Sequence, residues 1–153
     1  MIKTFGDTIL VLGKKYKNMV VLTADFTKEF NLTNYISENR YRHFNFGLTP
    51  GNMVSAACGM LVRGKLPLIC SVSDFLVGNA LSQINNDICF ANLNVKFVGI
   101  SGEIDAMNDV KILSNLKNME IFQPDTEKDL VNDLKTMFEK YGPCYLSLKK
   151  TVL

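Results

Sequence analysis

Three acidic residues, Glu103, Asp105 and Asp109, lie close together in the segment that follows an apolar run at 95–100. A carboxyl group can accept a hydrogen bond or donate one as it titrates, so any of the three could act in proton transfer. Acids in a polar loop are more often solvated than catalytic. The pattern alone therefore assigns none of them a role.

The sequence offers little for metal binding or thiol chemistry. Its four cysteines are far apart, and none forms a Cys-x-x-Cys pair. Each lies in an apolar or strand-like context, where cysteine usually behaves as a small buried hydrophobe. Because His43 is the only histidine, a zinc site would have few ligands to draw on. We expect no metal site in this chain.

Length and composition indicate one globular domain. A chain of 153 residues leaves no room for a second domain with its own core. The net charge is +2, and the lysines are spread out without interleaved aromatic residues, so we expect no nucleic-acid partner. No apolar run approaches the roughly 18–20 residues that span a bilayer, and the start lacks a secretory signal. We expect no membrane partner and a cytoplasmic location.

Hydrophobic periodicity predicts strands that alternate with helices. The predicted strands are 19–24, 43–47, 66–72, 95–100, 119–122 and 144–148. The predicted helices are 4–16, a short one within 26–40, 51–63, 75–90, 110–116, and one that starts at a capping box of Thr126 and Asp129 and ends near 141. This alternation predicts an α/β fold, with a doubly wound, mainly parallel sheet and helices on both faces.

A parallel sheet of this kind also predicts where a site would lie. Ligands of such folds gather at the carboxyl ends of the strands. The candidate site is therefore built from the loops that follow the strands, at 23–25, 48–52, 71–75 and 101–105. Fold alone names no function.

The residues of these loops carry a resemblance to a known family. The sequence resembles the pyrimidine-binding domain of transketolases, particularly the C-terminal half of the split, two-subunit kind. In family order, the matching stretches are LTADF, FNFGLTPGNM, ACGMLVRGKLP, FLVGNALSQIN, FANLNVK, LKNMEIFQPDT and GPCYLSL. Each stretch alone is weak, but together they follow the family's order and spacing over nearly the whole chain.

The resemblance implies a thiamine diphosphate site at an interface between two domains. A separate diphosphate-binding, transketolase-like subunit would hold the diphosphate and its magnesium ion, within a homo- or hetero-oligomer. This chain would contact the aminopyrimidine ring through the positions that match the family's motifs, which are Asp25, Leu48, Pro50, Asn52, Val72, Phe75 and Gln83. The implied substrate is a small sugar or keto acid.

One departure from the family bears directly on catalysis. Family members carry a glutamate that protonates a ring nitrogen of the cofactor, and in register this glutamate falls on Pro50. Proline has no titratable group and no backbone N–H, so it cannot perform this proton transfer. Proline is also favoured at the start of a helix for purely structural reasons.

Other departures point the same way. The family's histidine-bearing loop is replaced by SGEIDAMNDV, in which Glu103 and Asp105 are candidate substitutes for the missing acid. Asn79 and Ser82 stand where the family has arginine and glutamate. The split subunit of the family continues into a third, C-terminal domain. This sequence ends at Leu153, so we expect a single domain, 1–153, without it.

Of three functions that we consider, the sequence favours the first. The first is a pyrimidine-domain subunit of a split transketolase-like enzyme that works without the glutamate. The second is a non-catalytic scaffold or regulatory subunit of such an assembly. The third is a flavodoxin-like signalling domain, which the acids at the strand ends support poorly because no aspartate pair follows the first strand. We also expect an exposed apolar face, carried by the helices 51–63 and 75–90.

Overall fold

A six-stranded parallel sheet forms the centre of the molecule. The computed structural model describes residues 1–101 and 108–149. The strands are β1 Met19–Thr23, β2 His43–Asn45, β3 Leu66–Val72, β4 Lys96–Ser101, β5 Glu120–Phe122 and β6 Cys144–Lys149. They lie in the order β2-β1-β3-β4-β6-β5, and every neighbouring pair is parallel. The predicted α/β, doubly wound fold is confirmed.

Helices cover both faces of the sheet. They are α1 Ile2–Lys15, α2 Thr33–Glu38, α3 Pro50–Val62, α4 Ser73–Asn79, α5 Leu81–Gln83, α6 Asp109–Leu113 and α7 Glu127–Glu139. One hydrophobic core joins the sheet to α1, α2 and α7, and a second joins its other face to α3, α4 and α6. In the described part of the chain, no helix is long and apolar enough to cross a membrane.

Several helix boundaries follow the local signals in the sequence. Pro50 is the first residue of α3, where its missing N–H costs nothing. Gly64, with φ of 77°, follows the end of α3, in the left-handed conformation that glycine adopts without strain. Thr126 and Asp129 form the predicted capping box at the start of α7.

The prediction of one continuous helix over 75–90 is wrong. The helix α4 ends at Asn79, Ala80 leaves helical geometry with φ of −132°, and the chain resumes as α5 and a π-helix, Ile84–Cys89. Gly78 and Asn79 are poor helix formers at this point. The junction packs closely on α3, because a Cβ on Gly51 would lie 3.4 Å from the Asn79 carbonyl oxygen. The break thus coincides with two weak helix formers and with a tertiary contact to α3.

A buried lysine connects the amino edge of the sheet to α7. Lys96, the first residue of β4, has no solvent exposure. Its Nζ donates to the carbonyl oxygens of Lys140, at 2.9 Å, and of Gly142, at 2.8 Å. Burial lowers the pKa of Lys96. A buried cation is tolerated only when its donors are paired. These bonds therefore account for the burial of Lys96 by a structural role alone.

The largest exposed apolar side chains on the predicted face lie away from the candidate site. On α3, Val62 is 82% exposed, and Phe90, which follows the π-helix, is 72% exposed. Both lie at the C-terminal ends of their helices, hence towards the amino edge of the sheet. These two exposed apolar side chains therefore lie at the edge opposite the strand carboxyl ends, and the exposed apolar face of these helices stays a prediction.

Candidate functional site

The chain reverses direction across the sheet between β1 and β3. From β1 it runs outward to β2, then crosses back to β3 on the other side of β1. In open α/β sheets, the crevice beyond the carboxyl ends of such strands is the usual ligand site. The loops after β1, β2 and β3 lie at this edge and define the candidate site; the fourth predicted loop, 101–105, falls almost wholly outside the described residues.

Two aromatic side chains face each other at this crevice. Phe26 follows β1, and Phe75 lies in the first turn of α4, just after β3. Their ring centroids are 5.9 Å apart and their planes meet at 75°, an edge-to-face arrangement. Phe75 is half-buried, as is Val72 at the end of β3. The predicted residues Val72 and Phe75 thus form a partly accessible apolar wall.

A hydrogen-bonded unit fixes the loops after β1 and β2. The Asn45 side-chain amide donates to Asp25 Oδ1 at 2.7 Å, and its oxygen accepts from the backbone N–H groups of Asp25 and Gly47. Asp25 and Gly47 both have positive φ, 64° and 60°. This unit leads the chain towards the start of α3. Asp25 therefore helps to hold the loops at the edge of the site in place, and its carboxylate is exposed.

Within the described residues, the first turn of α3 itself carries no acidic or basic side chain. Pro50 is buried at the first helical position, preceded by Thr49, whose hydroxyl donates to the carbonyl oxygen of Phe46 at 2.7 Å. Leu48 is 60% exposed and Asn52 is exposed. The two predicted contact residues beside Pro50 are therefore accessible, but Pro50 itself supplies only apolar surface.

Gln83 lies beside the first turn of α3. A Cβ on Gly51 would lie 3.3 Å from the Gln83 side chain, so the two residues are close neighbours. Gln83 also lines a surface pocket of about 630 Å³, together with Asn79 and Ser82. The structure thus brings Gln83 to the α3 mouth, while Phe75 lies at the β1–β3 crevice.

The acidic residues of the sequence prediction separate into two groups. Glu103 and Asp105 lie outside the described residues. Asp109 is buried, with only 4% exposure, as the first residue of α6. It accepts hydrogen bonds from the hydroxyls of Tyr145 and Ser147. It is thus held in the protein interior.

Sequence reasoning missed the partners of Asp109. Tyr145 lies in β6, and its hydroxyl is 3.0 Å from that of Ser73 in α4. One signal was present in the sequence, because a glycine inside a strand often marks a close approach of another group. That glycine is Gly99 in β4, where a Cβ would collide with the Tyr145 hydroxyl.

The only histidine is a structural residue at the edge of the sheet. His43 Nε2 is 3.0 Å from the Thr23 hydroxyl, and burial lowers the pKa of His43 from its usual 6.5. The unfolded chain then binds this proton more readily than the folded one. We expect the free energy of unfolding to fall as the pH falls below about 6.5.

Urea unfolding above and below that pH, for the wild type and for His43→Gln, measures this effect. The glutamine can still pair with Thr23 but does not titrate, so its free energy of unfolding should lose this part of the pH dependence. An unchanged pH dependence in His43→Gln would assign the effect to carboxyl groups instead.

No thiol or metal chemistry is evident in the described residues. Burial raises the pKa of Cys70 and raises that of Cys89 to about 11, so both are protonated and unreactive at neutral pH. Within 1–101 and 108–149, no group of three or more histidine, cysteine, aspartate or glutamate side chains could hold a metal ion.

Comparison with known proteins gives consistent matches. A family model described as "Transketolase, pyrimidine binding domain" matches residues 1–153. A putative transketolase C-terminal section from Methanocaldococcus jannaschii is 34% identical over 98% of this chain and 50% of that protein. A 1-deoxy-D-xylulose-5-phosphate synthase from Pelotomaculum thermopropionicum is 33% identical, over 92% of this chain and 23% of that protein.

A solved structure is also similar. It is a split-gene transketolase in an inactive β4 tetramer, with a TM-score of 0.86 and 27% identity, over 96% of this chain and 50% of that chain. The chain described here thus spans about half of the archaeal relative and of this solved chain.

Proposed function

Since the chain belongs to the transketolase pyrimidine-binding domain family, we propose that it is the pyrimidine-domain subunit of a split transketolase-like enzyme. The cofactor would be thiamine diphosphate, shared with a partner subunit that holds the diphosphate and magnesium. The reaction would be a transfer on a small sugar or keto acid. The observation that carries the proposal is the half-buried Phe75 ring, which packs against Phe26 at the β1–β3 crevice.

The residues present fit one side of this cofactor. An aminopyrimidine is a flat aromatic ring, and a partly exposed phenylalanine offers it a stacking surface. Val72 and Leu48 add apolar surface, while Asp25, Asn52 and Gln83 offer polar groups around the crevice and the α3 mouth. When bound, the cofactor supplies the carbanion chemistry, and the protein supplies position and protons.

The fit fails at the acid–base position. Pro50 is buried and has no proton to hold. General acid–base assistance is worth roughly 10²–10⁴-fold, so a site without it is slow but still able to react. A second function follows from the same observation: a non-catalytic subunit that completes or regulates an assembly. It would keep the interface and the fold while dispensing with the glutamate.

The test is thiamine diphosphate binding by the assembled pair of subunits. Tagged purification from the native host identifies the partner, and the similar β subunit that forms an inactive tetramer argues against assaying the chain alone. With magnesium present, we expect Phe75→Ala to weaken binding about 5- to 150-fold, because stacking on an aromatic ring is worth about 1–3 kcal/mol.

Phe122→Ala is the matched control. Phe122 is another half-buried phenylalanine, but it lies on the edge strand β5 and packs against the core that includes α1, α2 and α7. Its loss should leave cofactor affinity unchanged. If Phe75→Ala binds as tightly as the wild-type pair, the proposed contact is wrong. If the wild-type pair binds no cofactor, the non-catalytic function replaces the enzyme.

A further inference from the structure

A cluster of polar side chains is buried on the face of the sheet that α3, α4 and α6 cover. It consists of Ser73, Asp109, Tyr145 and Ser147, each 5% exposed or less. The cluster lies over Gly99, which pairs with Ser147 in the sheet. Buried polar groups persist only when they are hydrogen-bonded, so a group of this size within an apolar core needs a reason.

Hydrogen bonds connect the whole cluster. The Tyr145 hydroxyl donates to Asp109 Oδ2, and the Ser147 hydroxyl donates to the same oxygen at 3.1 Å. The backbone N–H of Val110 donates to Asp109 Oδ1 at 2.7 Å. Three donors thus converge on one carboxylate, which makes these bonds charge-assisted and strong.

Tyr145 connects Asp109 to the first residue of α4 through hydrogen bonds. Its own proton is directed at Asp109, so its oxygen is left to accept from the Ser73 hydroxyl at 3.0 Å. Burial and the neighbouring carboxylate raise the pKa of Tyr145 well above its usual value, so it remains a donor throughout the physiological range. Ser73 is the first residue of α4, two positions before Phe75.

The helix α4 needs such an anchor. It is 7 residues long, its N-cap position is Val72, and no side chain among residues 1–101 and 108–149 caps its first turn. A helix of this length is not stable by itself in water and takes its position from tertiary contacts. The apolar contacts of Leu76 and Val77 hold its later part. The bond from Ser73 to Tyr145 holds its first turn.

We propose that Asp109, acting through Tyr145, is the positioning residue for the first turn of α4 and hence for the Phe75 ring. This inference rests on the proposed function only in so far as Phe75 contacts the cofactor. The geometric part concerns the chain itself: without the cluster, the turn 73–75 would lose its fixed orientation relative to β4 and β6.

Amide hydrogen exchange of the purified full chain tests the geometric part. In Tyr145→Phe the ring still fills its space but the hydroxyl is gone. We expect amides of α4 to exchange at least tenfold faster, relative to those of α1 and α7, and the nuclear Overhauser contact between the Phe26 and Phe75 rings to weaken. A uniform increase, or none, would overturn the proposal.

Tyr35→Phe is the matched control. Tyr35 is fully buried against the opposite face, and its hydroxyl donates to the Met19 carbonyl oxygen at 3.4 Å. Loss of that hydroxyl should not change exchange in α4 selectively. Asp109→Asn adds a graded variant, since its amide oxygen can still accept from Tyr145. We expect it to restore part of the protection that Asp109→Ala loses, whereas equal losses would contradict the role of that bond.

Cofactor affinity of the assembled pair separates this inference from the proposed function. If α4 loosens in Tyr145→Phe and thiamine diphosphate binding weakens in parallel, both are supported. If α4 loosens and binding is unchanged, the positioning of the turn is supported and the cofactor contact at Phe75 is the part that fails.

Discussion

Replacement of Pro50 by glutamate is expected to raise the rate of hydrogen exchange at C2 of thiamine diphosphate, in the assembled pair, by about 10²–10⁴-fold. The new carboxyl group would stand at the position that the family resemblance assigns to its proton-transferring glutamate. Pro50 is the first residue of α3, a position that accepts glutamate without backbone strain. The helix dipole also favours an acidic residue in the first turn.

Pro50→Gln is the control for this gain. Glutamine has nearly the same size and fits the same helix position, but it does not titrate, so the exchange rate should stay at the wild-type level. Cofactor affinity measured for both variants shows whether binding has changed as well. Equal exchange rates in Pro50→Glu and Pro50→Gln would show that the missing carboxyl group does not limit this site, and would favour the non-catalytic function.

The order of elements follows from the sequence because local signals and the sheet agree. The strand predicted at 19–24 is β1, Met19–Thr23, and the run at 66–72 is β3. Both lie inside the sheet, where apolar side chains are required on both faces. The helix α3 starts at Pro50 and is followed by Gly64, as local backbone preferences predict.

The helix break at Ala80 could not be predicted in the same way. Apolar periodicity continues from Phe75 to Phe90, so the pattern alone indicates one helix. The break depends on how closely α3 approaches the Asn79 carbonyl, through Gly51. That approach is a tertiary contact between segments almost 30 residues apart in the sequence, and it adds to the poor helix propensity of Gly78 and Asn79, worth up to about 1 kcal/mol per residue.

Part of the candidate site could likewise be predicted from the sequence, and part could not. The crevice at Asp25 and Phe75 could be predicted because the carboxyl ends of parallel strands share one edge of a sheet. The buried polar cluster around Tyr145, with Ser73, Asp109 and Ser147, could not be predicted. Its contacts depend on the register of β3, β4 and β6 and on where α6 begins. Asp109 was named from the sequence as an acid near a loop, but its burial against Tyr145 is visible only in three dimensions.

Gly99→Ala is expected to lower the free energy of unfolding by about 2–6 kcal/mol. An added Cβ would collide with the Tyr145 hydroxyl and lie 2.7 Å from the Ser73 hydroxyl oxygen. Overpacking of a core costs typically 1–3 kcal/mol. Displacement of Tyr145 would also leave the buried Asp109 carboxylate with an unmet hydrogen bond, which costs roughly another 1–3 kcal/mol. Urea unfolding followed by circular dichroism measures the difference.

Gly59→Ala controls for the change from glycine to alanine. Gly59 lies within α3, and a Cβ there would meet nothing within 4 Å. Alanine at this exposed helical position should raise the free energy of unfolding by roughly 0.5–1 kcal/mol. The two substitutions should therefore have opposite signs. If Gly99→Ala were as stable as the wild type, Tyr145 could leave its position at no cost, and a side chain that moves so freely could not hold the first turn of α4.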